Sequence, residues 1–137
     1  KLLSEIDLSI KINFIPSKSH LEFECDKEQL GRVIFNLIKN SIESIQQKAE
    51  NTSNFDKIIT IEIFDKNDHI SIVINDSGIG FGKLRKNIKD ILNPYFTTKK
   101  NGTGLGLSIV NKIINDHNGK LNFVSVPNGA KVEIIFY

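Results

Sequence analysis

Apolar residues recur along this chain with two different periods. Leu30, Val33, Ile34, Leu37, Ile38, Ile42 and Ile45 return at three- and four-residue steps, the spacing that lays one stripe along a helix. Asp26 precedes them with Gln29 three residues on, a capping-box spacing that starts the helix there. The pattern fades into Gln46 to Asp56, a polar run read as a loop. Elsewhere the period is two. Ile10 to Ile15 and Leu21 to Cys25 read as strands about a turn at Pro16-Ser17-Lys18-Ser19. Thr60 to Asp65 and His69 to Asn75 flank Lys66-Asn67-Asp68 as a hairpin. Leu121 to Val126 and Ala130 to Phe136 flank Pro127-Asn128-Gly129 as a second one. Between these hairpins, Leu107 to Asn118 predicts a helix with Ile109, Val110, Ile113 and Ile114 inward, closed by Gly119. Helices and strands are intermixed, with hairpins in both halves. The expected fold is α+β: a two-layer α/β sandwich whose mixed sheet is covered on one face by helices.

Length and composition narrow the class. A chain of 137 residues is one domain's worth, enough to bury roughly two thirds of its unfolded surface. The 39% hydrophobic and 25% charged content argues against disorder and coiled coil. No apolar run approaches the ~18 residues of a membrane span. The single cysteine, Cys25, excludes an internal disulfide and reads as a small buried apolar side chain. A net charge of +2 is too balanced to argue for nucleic acid. There is no methionine, even at position 1, so the chain reads as a piece of something longer. Lys outnumbers Arg 16 to 2, as an AT-rich genome would dictate. Single Lys and Asn residues therefore need support from spacing.

Three stretches carry candidate chemistry. Asn36, Asn40 and Glu43 lie at i, i+4 and i+7 on one helix face. A carboxamide oxygen is a hard neutral ligand suited to Mg²⁺, which takes phosphate oxygens and waters as its other ligands. Read alone, the same face is also what a solvated Asn-rich helix looks like. Asp76-Ser77-Gly78-Ile79-Gly80 follows a strand. Its carboxylate can accept from an exocyclic amine, and its glycines let backbone approach a flat ligand; read alone, it is also a plain turn. Gly102-Thr103-Gly104-Leu105-Gly106-Leu107-Ser108 runs into a helix, where glycine-rich backbone amides can hold an anion. It is neither a Walker A sequence nor a dinucleotide fingerprint. Six of the nine glycines fall between Asp76 and Gly106. That weakly periodic stretch predicts a functional lid.

Taken in order, Asn-Leu-Ile-Lys-Asn-Ser-Ile-Glu-Ser (36–44), Asp-Ser-Gly-Ile-Gly (76–80), Pro-Tyr-Phe-Thr-Thr-Lys (94–99) and Gly-Thr-Gly-Leu-Gly-Leu-Ser-Ile-Val (102–110) form a set. It resembles the four boxes of the ATP-binding catalytic domain of sensor histidine kinases. Gyrase, the heat-shock chaperone and MutL belong to the same superfamily. The resemblance runs from about Ile10 to Phe136, so residues 1–137 are read as one such domain. The wording of the last two boxes is similar to nitrogen-regulation kinases of the NtrB/NtrY type.

The resemblance implies a Bergerat-type fold with a flexible ATP lid, and it implies roles. Asn40 would hold Mg²⁺, with Asn36 near the phosphates. Asp76 would bond the adenine amine, Gly78 and Gly80 would shape the pocket, and Ile79 and Leu107 would wall it. Phe96 would anchor the lid, whose Thr97, Thr98, Thr103 and Leu105 fall within the nucleotide contacts. Gly102, Gly104 and Gly106 would meet the phosphates, with Lys39 and Lys99 as further phosphate contacts. Asn36, Asn40 and Lys99 are the catalytic candidates. The lid carries Lys83, Arg85, Lys86, Lys89, Lys99 and Lys100 against one acid, Asp90, an excess that a triphosphate favours. Three positions depart from the pattern. Glu43 stands where a basic residue is frequent, Ala130 where Thr is, and Asn118 at the first Gly of His-Gly-Gly, where Asn should be harmless because it tolerates left-handed backbone.

Three functions follow as expectations. The first is a protein-histidine kinase domain that binds Mg-ATP and donates the γ-phosphoryl group to a histidine on a separate dimerisation domain, with a response regulator downstream. Catalysis would rest on positioning and charge neutralisation. The second is an ATP-hydrolysing clamp. Relatives of that kind place a Glu where this chain has Asn36, which cannot act as a carboxylate base. The third is a regulatory module that binds nucleotide without transfer. His20, His69 and His117 do not sit in a phosphoacceptor pattern. No nucleic acid or direct membrane contact is expected. The isolated domain should be monomeric, with the ATP site in the cytoplasm even where the parent is anchored in the bacterial inner membrane.

Overall fold

A computed structural model of the chain describes residues 9–17, 25–80 and 106–137. Strand β1 (Lys11–Ile15) is followed by helix α1 (Lys27–Ala49) and the hairpin β2 (Ile58–Asp65) and β3 (Ile70–Asp76). Helix α2 (Gly106–Asp116) precedes the hairpin β4 (Lys120–Val126) and β5 (Gly129–Phe136). The five strands form one sheet in the order β1-β2-β3-β5-β4. β1 runs parallel to β2, and every other pair is antiparallel. The mixed sheet and the α+β class are those the pattern predicts. The expected strand at Leu21 to Cys25 and the lid fall almost wholly outside the described residues. Cys25 itself is half-buried rather than buried.

Period-two alternation selects the sheet face that meets the helices. Ile59, Ile61, Ile72, Ile74, Val132, Ile134, Phe136 and Phe123 point into the core. Val33, Leu37, Ile38, Ile42, Ile45, Val110, Ile113 and Ile114 close it from the helix side. Ile45, Ile59, Ile114 and Ile134 are wholly enclosed. α1 packs on α2, β3 and β2, and α2 also packs on β4. Each buried Ile or Val contributes about 1.5–3 kcal/mol against exposure.

The helix ends show where local rules met tertiary ones. Asp26 caps α1, its Oδ1 accepting from the amides of Glu28 and Gln29 at 3.1 and 3.2 Å. The reciprocal arm of a capping box does not form. The Asp26 amide donates instead to His117 Nε2 at 3.0 Å, and Gln29 accepts from Arg32. At its other end α1 runs on through Gln46–Ala49, beyond the predicted loop boundary. Gln, Lys and Ala are good helix formers, and Lys48 is tied to the sheet side by a bond to Ser77 O at 3.2 Å. α2 ends as a Schellman motif. Asn118 donates to Asn115 O and Gly119 to Ile114 O. The left-handed residue is Asn118, at φ 58°, a conformation Asn tolerates in place of the first Gly of His-Gly-Gly, and Gly119 follows it rather than being the left-handed cap. Glycine is needed at 119 for space, because a Cβ there would lie 2.6 Å from Ile135 O.

Asn118→Val should therefore lower stability by about 1–2 kcal/mol, the cost of a left-handed backbone for an ordinary residue. Asn118→Gly should leave the urea midpoint unchanged or raised. Equal midpoints for the Val and Gly variants would contradict the assignment.

Candidate functional site

The site is organised by a straight ridge on α1. Asn36, Asn40, Ser44 and Lys48 succeed one another at i+4 steps along one helix, the row that forms the shallowest ridge on a helix surface. Continuation through Ser44 and Lys48, rather than through Glu43, is what brings the helix to the end of β3. Ser44 Oγ accepts from the Ile79 amide at 3.0 Å. Lys48 Nζ bonds Ser77 O and lies 4.7 Å over the Phe55 ring.

Asp76 is the buried charge of the site, 7% exposed at the last position of β3. Its Oδ1 accepts from the Gly78 amide at 2.8 Å. The Ser41 hydroxyl and the Ala130 amide also donate to the carboxylate. Burial lifts the carboxyl above its ordinary value of 3.8. Those three hydrogen bonds and the Lys48 ammonium pull the other way without cancelling it. Ala130 thus lacks a hydroxyl, but one reaches Asp76 from Ser41 on α1.

The turn after Asp76 is packed so closely that glycine is obligatory. A Cβ on Gly78 would run into the side chain and backbone of Ser44. Gly80 has φ 76°, and a Cβ there would lie 2.5 Å from Gly129 O. Gly129 in turn abuts the Asp76 carbonyl. Ser77 is bound on every side. Its amide donates to Ile58 O, and its Oγ donates to Asp56 O while accepting from the Ile58 amide.

At the other end of the ridge lies the start of α2. Gly106 opens that helix, and a Cβ on it would lie 3.5 Å from Asn36 Oδ1. The Asn36 amide group donates to Arg32 O at 2.9 Å, which leaves its oxygen turned to Gly106. No acidic residue occupies the first turn of α2, so the positive end of its dipole is compatible with an anion.

The structure therefore places Asn36 and Asn40 on α1 with Asp76, Gly78, Ile79 and Gly106 against that helix, while Gly80 lies against Gly129. Ile79 is 47% exposed, available as a wall, whereas Leu107 packs partly into the core. Lys39 is exposed. Phe96, Thr97, Thr98, Lys99, Gly102, Thr103, Gly104 and Leu105 lie outside the described residues. Ser41, Ser44, Lys48 and Gly129 escaped the sequence reading, although the i+4 row from Asn40 points to two of them. The donor set fits a nucleotide with Mg²⁺. It offers neutral amide oxygens beside a helix N-terminus and a carboxylate about one ridge-length away. Among the described residues no three His, Cys, Asp or Glu side chains gather as a metal cluster. A shallow hollow of about 310 Å³ on Thr60, Asn75, Ser77, Val126 and Asn128 shares only Asp76 with these candidates.

Comparison with known proteins identifies the family. The model of the histidine kinase-, DNA gyrase B-, and HSP90-like ATPases matches residues 25–137. An NtrY-like sensor histidine kinase of Rickettsia felis is 34% identical over 137 residues, covering 99% of this chain and 21% of that protein. The sensor histidine kinase ZraS of Escherichia coli O157:H7 is 31% identical over 123 residues, covering 89% of this chain and 25% of that protein. The chain thus spans between a fifth and a quarter of these relatives' length. The catalytic domain of histidine kinase ThkA superposes with a TM-score of 0.72 at 31% identity, covering 91% of this chain and 78% of that one.

The raised Asp76 pKa has a definite sign in stability. Between 3.8 and the raised value the folded chain binds more protons than the unfolded one, so Asp76 makes the protein less stable as pH rises through that window. Asp76→Asn abolishes this titration. Its stability relative to the unsubstituted chain should rise with pH across the window and level off above it, as read from urea midpoints. The opposite slope would show that the hydrogen bonds, not burial, dominate.

Proposed function

This chain belongs to the histidine kinase-, DNA gyrase B- and HSP90-like ATPase family, and we propose that it is the nucleotide-binding half of a histidine phosphotransfer reaction. It binds Mg-ATP and presents the γ-phosphoryl group to a histidine on a separate dimerisation domain of its parent. A response regulator takes the phosphoryl group next, and the ATP site faces the cytoplasm. The observation that carries this reading is the α1 ridge, which spans from Asp76 at the base end to Asn36 and the start of α2 at the phosphate end.

Each residue has a derived task. Asp76 accepts the exocyclic amine of the base through a lone pair left over from its three internal bonds, which favours adenine over guanine. Ile79 covers one face of the ring. The α2 amides hold phosphate oxygens, and Asn40 holds the cation with Asn36 beside it. Mg²⁺, when bound, neutralises charge on the phosphates. The protein's share of catalysis is orientation and fixed dipoles, because phosphoryl transfer needs little covalent help.

Hydrolysis is the second reading, and Asn36 speaks against it. Its amide cannot take a proton from water, and its nitrogen is bound to Arg32 O. Self-phosphorylation at the two described histidines is also disfavoured, His20 lying outside the described residues. His117 uses both ring nitrogens, Nδ1 donating to Ile113 O at 2.8 Å and Nε2 accepting from Asp26. His69 Nδ1 is paired with Asp68.

Mixed with labelled Mg-ATP and the His-bearing dimerisation domain of its parent, this chain should label that domain and not itself. Asn40→Ala should cut transfer by roughly 100-fold or more, as loss of transition-state charge stabilisation does. Binding without transfer would favour a regulatory module. Unchanged ATP affinity in both Asn40→Ala and Asp76→Ala would overturn the nucleotide reading.

A further inference from the structure

We propose that Ser44 is a positioning residue that sets the base end of the site. This rests on the reading that the site takes an adenine nucleotide. Three observations meet at this side chain. Its Oγ accepts from the Ile79 amide at 3.0 Å. Its side chain and backbone fill the space a Cβ on Gly78 would need. It stands one i+4 step from Asn40 on the ridge.

The Ile79 amide belongs to the turn that links the acceptor, Asp76, to the exposed wall, Ile79. Asp76 Oδ1 already fixes the Gly78 amide at 2.8 Å. Successive amides of one turn are thus held from two sides, one by the strand end and one by the helix. The first bond sets where the carboxylate lies. The second sets the height of Ile79 above it, and so the width of the slot for a planar ring. A hydroxyl at 44 is required because the turn approaches α1 so closely. A larger residue would meet Gly78, and Ala would leave the Ile79 amide without its acceptor. Ser44 touches no reacting atom; it acts through Ile79 and Asp76. Because Asn40 is on the same rigid helix, the spacing between base slot and cation is fixed by helix rise rather than by a loop.

The test compares ADP with inosine diphosphate, which presents a carbonyl where adenine has its amine. Titration calorimetry is run on the intact chain and on Ser44→Ala, below the unfolding temperature of both, with urea midpoints in parallel. The unsubstituted chain should prefer ADP; absence of that preference would refute the adenine reading itself, separately from Ser44. Given the preference, Ser44→Ala should weaken ADP about fivefold, the worth of one hydrogen bond, and should weaken inosine diphosphate less. The Ile79 amide should exchange with solvent faster by NMR. Equal weakening of both nucleotides, or a stability loss with an unchanged ADP-to-inosine-diphosphate ratio, would overturn the proposal. Ser44→Cys, which keeps a small side chain with a weak acceptor, should fall between Ser and Ala; a Cys variant no better than Ala in ratio and exchange would also count against it.

Discussion

The close approach of α1 to the turn after β3 is the constraint on which the site depends. Gly78 has no room for a Cβ because Ser44 occupies it, and Gly129 has none because the Asp76 carbonyl does. Helix, strand end and hairpin meet at backbone distance. Such contact is possible only where glycine removes the side chain and where every polar group has a partner. Asp76, Ser77 and Ser44 supply those partners. Burying a carboxylate costs free energy, and the raised Asp76 pKa is the sign of that cost. Three donated hydrogen bonds offset it only in part. The remaining acceptor capacity is what a ligand amine would use under the proposed function, and the same desolvation would then strengthen that bond.

Most of the fold was legible because its signals are periodic. The Val33 to Ile45 stripe and the alternation in β2, β3 and β5 both survive in the core. The capping-box spacing of Asp26 and Gln29 was half right, since the Asp26 amide found His117 from a segment 91 residues away. No local rule can see such a bond. The extension of α1 through Ala49 has the same origin. Lys48 looked like one more lysine of an AT-biased chain, yet it binds Ser77 O and caps the Phe55 ring.

The compositional discount also hid a backbone role at two asparagines. Asn54 and Asn67 have positive φ, at 61° and 70°, as does the expected Asn118, at 58°. Asn tolerates that region better than most residues, so part of the asparagine excess does turn chemistry. In the candidate site, Asn36, Asn40 and Asp76 were singled out by the four-box resemblance, since spacing alone left each ambiguous, whereas Ser41 and Ser44 were not singled out. Their importance comes from what they face across the interface, and a one-dimensional pattern records only which residues share a helix face.

His117 explains how the two ends of the site keep their distance. It ties the C-terminus of α2 to Asp26 at the N-terminus of α1. Gly106, at the other end of α2, rests against Asn36 of α1. From Asp26 to Asn36 is ten residues, and from Gly106 to His117 is eleven. At 1.5 Å per residue these are spans of about 15 and about 16–17 Å. Two nearly equal spans joined at both ends require the helices to lie antiparallel and fix their sliding register. A shift of α2 along α1 would break the imidazole bond or part Gly106 from Asn36. The imidazole thereby helps place the N-terminus of α2, while Ser44 holds the turn after β3. Both distances are measured along the same rod.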